Sequence, residues 1–404
     1  MIGNELMSSQ KDPMVSQGNI LVVDDTPANL RLLSNLLAEQ EYKVRSVISG
    51  QMALTAARAA PPDLILLDIN MPGMNGYEVC EQLKAEEETR DIPIIFISAL
   101  DATEDKVKAF TMGGLDYVTK PFQFEEVLAR VRTHLALRRL QKQLQAANKK
   151  FEQELALAGR IQASFLPSEI PIIPGWQLSV TLRPALETSG DFYDINPLPN
   201  GRLGILVADV VGKGVGAALY MALIWTLIRT YAAEYPAQPG FVCRAVNRRI
   251  LMDTHADMFV TLFYGILDPI TGVLVYSNAG QNPPYLIKAQ KDQDAQELTR
   301  TGIPLGIFED GEWQERSIQL ATGDTLVLYT DGVTEAQDID LALFGEDRLL
   351  KCIQANLGRS AWEIQDAILS DVYAFVGEAP HFDDLTLTVL VRQSTEETGP
   401  GTSG

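Results

Sequence analysis

Residues 205–221 read ILVADVVGKGVGAALYM and pass from an apolar β-type run through Asp209 and a glycine-rich turn into a helix. Three further aspartates also stand beside apolar runs: Asp191 in SGDFYD, Asp331 in LVLYTDGVTE and Asp383 in FDDLTLTVL. A shared sheet core can aim all four at one end. Carboxylates gathered in this way repel each other unless a cation holds them, and oxygen ligands favour Mg²⁺ or Mn²⁺. Two such ions bridged by water form a hydrolytic centre for phosphate esters.

The surrounding region, 167–394, mixes strand patterns with two long helical patterns at 215–234 and 361–376. The run at 259–280, FVTLFYGILDPITGVLVYSNAG, predicts two antiparallel strands joined at the DPITG turn. Runs of strands with separate long helices predict an α+β sandwich flanked by helices.

Residues 18–135 show a different pattern, in which strand-like runs alternate with helix-length segments. The apolar runs are continuous, as in NILVV (19–23), which indicates a doubly wound five-stranded parallel sheet covered on both faces. Folds of this α/β class bind their ligands at the carboxyl ends of the strands.

Polar side chains stand at those strand ends. Asp24 and Asp25 end the first strand, Asp68 the third, Ser98 the fourth and Lys120 the fifth. Two acids and a backbone carbonyl just beyond Asp68 can hold Mg²⁺ while Asp68 attacks a phosphoryl group, giving an aspartyl phosphate. Lys120 and Ser98 would contact the phosphoryl oxygens.

The motifs VVDD, LLDINMPGMNG, ISA and DYVTKPF stand in this order, and the region resembles the receiver domain of two-component response regulators. The alternative, a flavodoxin-like domain with merely solvated acids, is disfavoured because every motif is present. The resemblance implies a cognate sensor histidine kinase, a cis bond before Pro121 and the following residue roles: phosphoacceptor Asp68; Mg²⁺ ligands Asp24, Asp25, Asp68 and the Asn70 carbonyl; switch residues Ser98, Tyr117 and Lys120.

One long helical pattern follows, from about Leu128 to Phe165. Its seam residues recur at a spacing of three and four, interrupted by Glu154, and no Gly or Pro ends the run before Pro167. The pattern predicts a coiled-coil linker over 136–166 that forms a parallel homodimer. The alternative is one amphipathic helix lying on its own domain. The seam residues are Leu137, Leu140, Leu144, Ala147, Phe151, Ala158, Ile161 and Phe165.

Residues 152–392 carry a second set of motifs, including RPALETSGDFYDI, VADVVGKGVGAALYMALI, SNAGQNPP, LYTDGVTEAQD and DDLTLTVL. Together they resemble the PPM-type metal-dependent phosphatases, in the sporulation and general-stress branch of bacteria. The resemblance implies two Mn²⁺ or Mg²⁺ ions and a water that attacks phosphorus without a covalent enzyme intermediate. The implied metal ligands and catalytic residues are Asp191, Asp209 (shared by both ions), Asp331, Asp383 and the Val210 carbonyl.

Two nearby aspartates, Asp194 and Asp384, are expected to support this centre or the fold rather than to bind metal. The chain departs from the family at Gln281, where His is more usual. Glutamine cannot change its charge near neutral pH as histidine can. If this position aids proton transfer, activity is reduced; if it only shapes the site, little changes. The VGKGVG stretch lacks the ending and spacing of a nucleotide-binding loop.

Composition narrows the possible partners. The 404-residue chain has a net charge of −20, which disfavours non-specific binding to nucleic acid or an anionic membrane. We expect no membrane-spanning run and no secretory signal, and three dispersed cysteines predict neither a disulfide framework nor a zinc site. A cytoplasmic location is the simplest expectation. Residues 1–17 and 395–404 are expected to be flexible tails.

These patterns predict a response regulator in which phosphorylation of an aspartate controls a phosphoserine/phosphothreonine protein phosphatase. By resemblance, its substrate is a phosphorylated anti-sigma factor antagonist in a partner-switching pathway. The alternative is a non-catalytic adaptor whose phosphatase-like domain binds a partner protein.

Overall fold

The computed structural model describes most of the chain, and the predicted tails 1–17 and 395–404 lie outside the described residues. The chain divides into two compact units, Met1–Lys150 and Phe151–Gly404. The described ranges are 18–98, 112–254, 257–289, 295–379 and 383–393.

The first unit contains a five-stranded parallel sheet in the order β2-β1-β3-β4-β5. Three strands are almost wholly buried because they consist of continuous apolar residues, as in the LILLD run that ends at Asp68. Apolar clusters lie on both faces of the sheet, which confirms the predicted parallel α/β fold. The strands are β1 (Asn19–Val23), β2 (Lys43–Val47), β3 (Leu64–Asp68), β4 (Ile94–Ser98) and β5 (Asp116–Thr119).

Helices pack against this sheet, and local sequence explains where some of them begin. Asn75 and Glu78 form a reciprocal capping box at the start of the third helix, satisfying backbone N–H groups that have no helical partner. Ser49 accepts a hydrogen bond from the Met52 backbone in the same way. The helices are α1 (Pro27–Glu39), α2 (Gly50–Ala59), α3 (Gly76–Ala85) and the first part of α4 (Phe124–Ala163).

Helix α4 has 40 residues and begins four residues before the predicted start, since its acidic first turn precedes the apolar repeat. Val127 and Val131 are buried in the first unit, and Lys142 Nζ lies 3.0 Å from Asp63 Oδ1. Farther along, the predicted seam is open to solvent within the single chain. Leu144 and Phe151 are 63% and 64% exposed.

The second unit is a sandwich of two five-stranded sheets, and strands β9 and β10 pair antiparallel as predicted. The first sheet has the order β13-β10-β9-β8-β7 and the second β12-β11-β14-β15-β6. The strands are β6 (Trp176–Arg183), β7 (Asp191–Pro197), β8 (Leu203–Val210), β9 (Val260–Leu267), β10 (Val273–Ala279), β11 (Tyr285–Ile287), β12 (Gln296–Glu297), β13 (Arg316–Gln319), β14 (Thr325–Tyr329) and β15 (Leu385–Arg392).

Helices cover the outer face of each sheet, giving four layers. One apolar cluster fills the space between the sheets, and two others lie between each sheet and its helices. This arrangement confirms the predicted sandwich flanked by helices. The helices are α5 (Val215–Glu234), α6 (Pro239–Asp253), α7 (Asp331–Thr334), α8 (Glu346–Ala355) and α9 (Ala361–Val376).

Helix α5 corrects one expectation from the sequence. Its 20 residues are long and apolar enough, by length and composition, to cross a membrane, although no such run was expected. Met221, Ile224 and Ile228 are buried in the cluster beneath the first sheet. Packing in the core therefore accounts for part of the apolar character of α5, while Leu219 remains exposed.

Candidate functional site

The acidic pocket of the first unit brings together side chains from the ends of three parallel strands. Carboxylate oxygens of Asp24, Asp25 and Asp68 lie within 4.8 Å of one another. Lys120 Nζ lies 2.9 Å from Asp24 Oδ2 and 2.9 Å from Asp68 Oδ2. Asp68 Oδ1 is buried and has no hydrogen-bond partner among the described residues. A buried carboxylate oxygen without a partner, beside two further acids, fits a hard divalent cation.

Hydrogen bonds hold this pocket in place. The Asn29 side chain donates to both oxygens of Asp24, and the Thr26 backbone N–H donates to Asp24 Oδ1. Burial raises the pKa of Asp68, and Asp24 adds to this effect, while Lys120 opposes it. Burial lowers the pKa of Lys120, but its bonds to the two aspartates outweigh this and raise the pKa overall. The Lys120 ammonium group thus supplies a positive charge inside the pocket.

The predicted switch residues flank the pocket. Ser98 is the last residue of β4 and is buried, and its carbonyl accepts a hydrogen bond from the Lys120 backbone at 2.7 Å. Tyr117 lies in β5 with the Arg130 guanidinium 5.7 Å from its ring centre. The bond between Lys120 and Pro121 is cis, as the resemblance implied. The backbone N–H of Asn70 hydrogen-bonds Asp68, and its role as a carbonyl ligand stays a prediction.

The second acidic site lies at one end of the sandwich. Asp191 and Asp209 are direct partners in the pairing of β7 with β8, so their side chains share a face. That face also carries Ile195, Ile205 and Val207, which belong to the cluster between the sheets.

Asp331 and Asp383 approach the same end from the other sheet. Asp331 begins α7, directly after β14, and Asp383 precedes β15 by two residues.

Two threonines from the second sheet bind the most buried of these aspartates. Asp191 is 2% exposed, and its Oδ2 accepts from Thr330 Oγ1 at 2.6 Å and from Thr386 Oγ1 at 2.7 Å. Sequence reasoning missed both threonines. For Thr386 the alternation in LTLTVLV offered a signal, because it places threonines on one face of β15 and a run of apolar residues on the other, but no such signal marks Thr330.

Burial and mutual repulsion both affect the pKa values of the aspartates at the second site. Burial raises the pKa of Asp191 well above its ordinary value, and Asp209 raises it further. Burial, followed by repulsion from Asp331, Asp383 and Asp384, raises the pKa of Asp209 to about 7. Burial and Asp383 also raise the pKa of Asp331.

The charge and spread of this second cluster fit divalent cations. Lys213 Nζ lies 2.9 Å from Asp383 Oδ1, but both side chains are more than 40% exposed, so water screens this pair. Among the described residues, Asp24, Asp25 and Asp68 form the only group of three or more possible metal-binding side chains whose ligand atoms all lie within 4.8 Å of one another. The second cluster has four carboxylates contributed by elements of two sheets, a ligand set that suits two bridged ions.

Close backbone contacts bring the Val210 carbonyl to this site. Gly190 accepts a hydrogen bond from the Val210 N–H, and a Cβ at Gly190 would lie 2.8 Å from the Val210 oxygen. The glycine in SGDFYD is therefore required for this close approach.

The two remaining aspartates of these motifs have other partners. Asp384 accepts hydrogen bonds from the backbone N–H groups of Ala185 and Gly190, each at 2.7 Å. Asp194 pairs with Arg229 on α5 at 2.7 Å. These contacts fix the loop before Asp191 and the position of α5.

The end of α4 contacts the same loop, a feature that sequence reasoning did not resolve. The Gln162 side chain accepts from the Ser189 N–H at 2.9 Å and donates to the Ser189 carbonyl. A Cβ at Gly159 would lie only 2.1 Å from the Glu187 oxygen, so helix and loop are in direct backbone contact. Phe165 packs edge-on against Trp225 of α5, with ring centres 5.5 Å apart.

Family models match both units of this chain. The response regulator receiver domain matches residues 20–132, and stage II sporulation protein E (SpoIIE) matches residues 199–393.

Individual proteins are similar to parts of the chain. Phosphoserine phosphatase RsbU of Bacillus subtilis is 30% identical over 250 residues, covering 62% of this chain and 73% of RsbU. Protein IcfG of Synechocystis sp. is 32% identical over 267 residues, covering 59% of this chain but only 41% of IcfG. The solved SiaA-PP2C domain of Pseudomonas aeruginosa covers 62% of this chain and 99% of its own at 22% identity and TM-score 0.54, a likeness of fold alone.

Proposed function

Because this chain belongs to the family of SpoIIE-type protein phosphatases and carries a response regulator receiver domain, we propose that phosphorylation of Asp68 controls its hydrolysis of a phosphoserine or phosphothreonine protein. One observation carries the proposal: Asp191 and Asp209 face the space between two sheets, where Asp331 and Asp383 meet them, and burial and mutual repulsion raise the pKa of Asp209 to about 7. Mutually repelling oxygen donors of this kind are the ligand set that two Mn²⁺ or Mg²⁺ ions require.

In this proposal Asp191, Asp209, Asp331, Asp383 and the Val210 carbonyl hold the two ions, with Asp209 shared. When bound, such ions activate water and neutralise charge on the phosphate ester. Thr330 and Thr386 keep Asp191 oriented, while Asp384 fixes the backbone at Gly190 beside the Val210 carbonyl.

The receiver would hold one Mg²⁺ with Asp24, Asp25, Asp68 and the Asn70 carbonyl. A carboxylate oxygen of Asp68 attacks the phosphorus of a phosphohistidine on a sensor kinase, and the bond from phosphorus to the histidine nitrogen breaks. Lys120, already 2.9 Å from Asp68, would contact the transferred phosphoryl oxygens together with Ser98. Tyr117 would then change its position on the face formed by β5 and α4.

Helix α4 is the proposed connection between the two activities. Its end holds the Ser189 backbone through Gln162, two residues before Asp191, and Phe165 packs on α5, which begins five residues after Val210. A rotation or shift of α4 would therefore move the loop that leads to Asp191 and the helix that follows the strand of the shared ligand Asp209. We infer that phosphorylation activates the phosphatase by completing this metal site.

If α4 paired with the same helix of a second copy, the helix pair could adopt two arrangements, and α4 would move between them. Leu137, Leu140, Leu144, Phe151 and Ile161 are all more than half exposed, although they repeat at coiled-coil spacing. A parallel homodimer would bury this seam, and Glu154 would be its weak point.

The substrate class follows from the relative RsbU, whose name identifies it as a phosphoserine phosphatase. We infer a phosphorylated anti-sigma factor antagonist or similar phosphoprotein, acting with a sensor histidine kinase in the cytoplasm. A net charge of −20 argues against nucleic acid or an anionic membrane as a partner.

Hydrolysis of p-nitrophenyl phosphate and of a phosphoserine peptide tests the proposal in Mn²⁺ and in excess EDTA. Turnover that persists undiminished in EDTA would rule out the two-metal mechanism. No turnover of either substrate under any metal would leave a binding adaptor as the better description. Phosphoproteins retained by Asp383→Ala, identified by mass spectrometry, would name the substrate.

A further inference from the structure

Gln281 stands where the resembled phosphatases more often carry histidine, and its side chain joins the two sheets. It is 2% exposed. Its Oε1 accepts from Thr261 Oγ1 at 2.5 Å, and its Nε2 donates to the Tyr329 carbonyl at 3.2 Å. A backbone carbonyl can only accept, so the amide nitrogen must face Tyr329 and the amide oxygen must face the hydroxyl. Both polar atoms of the amide are thus used.

Each end of this connection adjoins a candidate metal ligand. Thr261 on β9 is the direct register partner of Asp209 on β8, so the hydroxyl and the carboxylate share one face. On the other sheet, Tyr329 precedes Asp331 by two residues. Gln281 therefore spans the distance between the neighbour of one ligand and the segment that leads to another.

The segment before Asp331 is held from two sides. Gln281 holds the Tyr329 carbonyl, and Asp191 accepts from the hydroxyl of the next residue, Thr330, at 2.6 Å. Without the first contact, the Thr330 bond to Asp191 would be the remaining hydrogen bond, among the described residues, from residues 329–330 to the first sheet, and it uses an oxygen of a candidate metal ligand.

The backbone that carries Gln281 is itself tightly fixed. Gly280 has φ +84°, and a Cβ there would lie 2.6 Å from Pro304 Cγ. The Asn278 side chain donates to the Leu298 carbonyl, and its backbone N–H donates to Thr301 Oγ1. The Gln281 side chain therefore projects from a rigid corner, which gives its two hydrogen bonds a defined geometry.

We propose that Gln281 is a positioning residue that sets the distance between Asp209 and Asp331 and so determines how tightly the phosphatase centre binds Mn²⁺. The inference rests on the proposed function, since it assumes that these aspartates are metal ligands. Groups that orient metal ligands through hydrogen bonds commonly change metal affinity by about 10–100-fold when they are removed.

The test uses the full chain and measures Mn²⁺ binding directly, from the electron paramagnetic resonance signal of free Mn²⁺. Binding that persists in Asp209→Ala is assigned to the receiver pocket of Asp24, Asp25 and Asp68 and is subtracted. Gln281→Met keeps the length of the side chain and removes both hydrogen bonds. Thr261→Val keeps the branched shape and removes the hydroxyl from the other side. Each variant should raise the dissociation constant for Mn²⁺ about 10–100-fold. The double variant should be no weaker than the weaker single variant, because both act on one connection.

A matched control separates positioning from general stability. Gln365 on α9 is also a buried glutamine, bonded to Ser179, Thr181 and the Leu387 carbonyl. Gln365→Met should lower the unfolding temperature about as much as Gln281→Met and leave Mn²⁺ affinity within about twofold, since no candidate ligand depends on it.

Mn²⁺ affinity within twofold of wild type in Gln281→Met, with a lowered unfolding temperature, would overturn the proposal. If that variant does not fold, the same result in Thr261→Val would overturn it. Hydrolysis of p-nitrophenyl phosphate is scored separately. A wild-type protein that binds Mn²⁺ at the phosphatase centre without hydrolysis refutes the proposed function, while the affinity comparison still decides the role of Gln281.

Discussion

The two acidic sites of this chain differ in how the repulsion between their carboxylates is offset. In the receiver, Lys120 lies within 2.9 Å of both Asp24 and Asp68, so one side chain offsets much of the repulsion. In the phosphatase unit the described cation nearest the cluster, Lys213, is a screened surface group, and the pKa of Asp209 rises to about 7. A site with its own positively charged side chain is partly neutralised without an added ion, whereas under the proposed function the phosphatase cluster would rely on metal ions for its charge balance.

The largest expected effect comes from removing Asp209, the proposed shared ligand of the phosphatase site. Asp209→Ala should reduce Mn²⁺-dependent hydrolysis to about a thousandth or less, because residues that act as one unit lose most activity together. The receiver should be unaffected, so beryllofluoride with Mg²⁺ should still occupy Asp68 in this variant. Steady-state hydrolysis of p-nitrophenyl phosphate measures the first effect. Activity above a tenth of wild type would remove Asp209 from the centre.

The next effect tests whether the two sites communicate. Beryllofluoride should raise the phosphatase activity of the full chain about tenfold, which lies within the usual range for allosteric coupling. Asp68→Asn should abolish this response and keep basal hydrolysis. Gln162→Leu should also weaken the response, because it releases the Ser189 backbone while keeping the bulk of the side chain.

Equal activity with and without beryllofluoride in the wild type would refute the coupling. A control lies at Gln145, which is exposed on α4 and distant in sequence from the Ser189 contact. Gln145→Leu should respond as the wild type does. A response that survives in Gln162→Leu would show that the signal takes another route.

The sequence predicted local elements well and long-range contacts poorly. Helix α5 occupies the predicted range 215–234, since its apolar run is bounded by glycines before it and by a proline shortly after it. The parallel sheet followed from continuous apolar strands. Contacts such as Gln162 with Ser189 and Gln281 with Tyr329 join residues 27 and 48 positions apart, across elements that do not pair with each other. No periodicity encodes them, because they depend on how whole layers pack.

A smaller effect concerns the stability of the metal-free phosphatase unit. The pKa of Asp209 rises from 3.8 to about 7, mainly through burial, so the folded state keeps a proton that the unfolded state releases in this interval. The free energy of unfolding should therefore fall as pH rises from 3.8 to about 7. All four tryptophans lie in the second unit, so tryptophan fluorescence follows its unfolding in the full chain. They are Trp176, Trp225, Trp313 and Trp362.

In EDTA at pH 8, Asp209→Asn should raise this unfolding temperature by about 2–4 °C, as expected for about 1 kcal/mol in a unit of this size. Mn²⁺ should reverse the order, since the wild type gains ligand-binding energy that the variant lacks. An unchanged or lower unfolding temperature for the variant in EDTA would contradict the electrostatic difference between the two sites.

The smallest effect is expected for the equivalent change in the receiver. Burial also raises the pKa of Asp68, which by itself predicts stability lost as pH rises. Asp68→Asn removes the unfavourable burial of a charged carboxylate, but it also removes one of the two carboxylates that hold Lys120. These two consequences for stability oppose each other.

Lys120 keeps its bond to Asp24 at 2.9 Å. At pH 8 without metal, amide hydrogen exchange in β1 and β3 should therefore change by less than about twofold, within the usual ±0.5 kcal/mol of a tolerated substitution. Lys120→Met should speed this exchange more than Asp68→Asn does, because it leaves Asp24 and Asp68 facing each other without a cation. If both receiver variants instead slowed exchange in EDTA, the stabilising direction expected for Asp209→Asn, then Lys120 would not be neutralising the pocket. The two acidic sites would then not differ in how the repulsion between their carboxylates is offset.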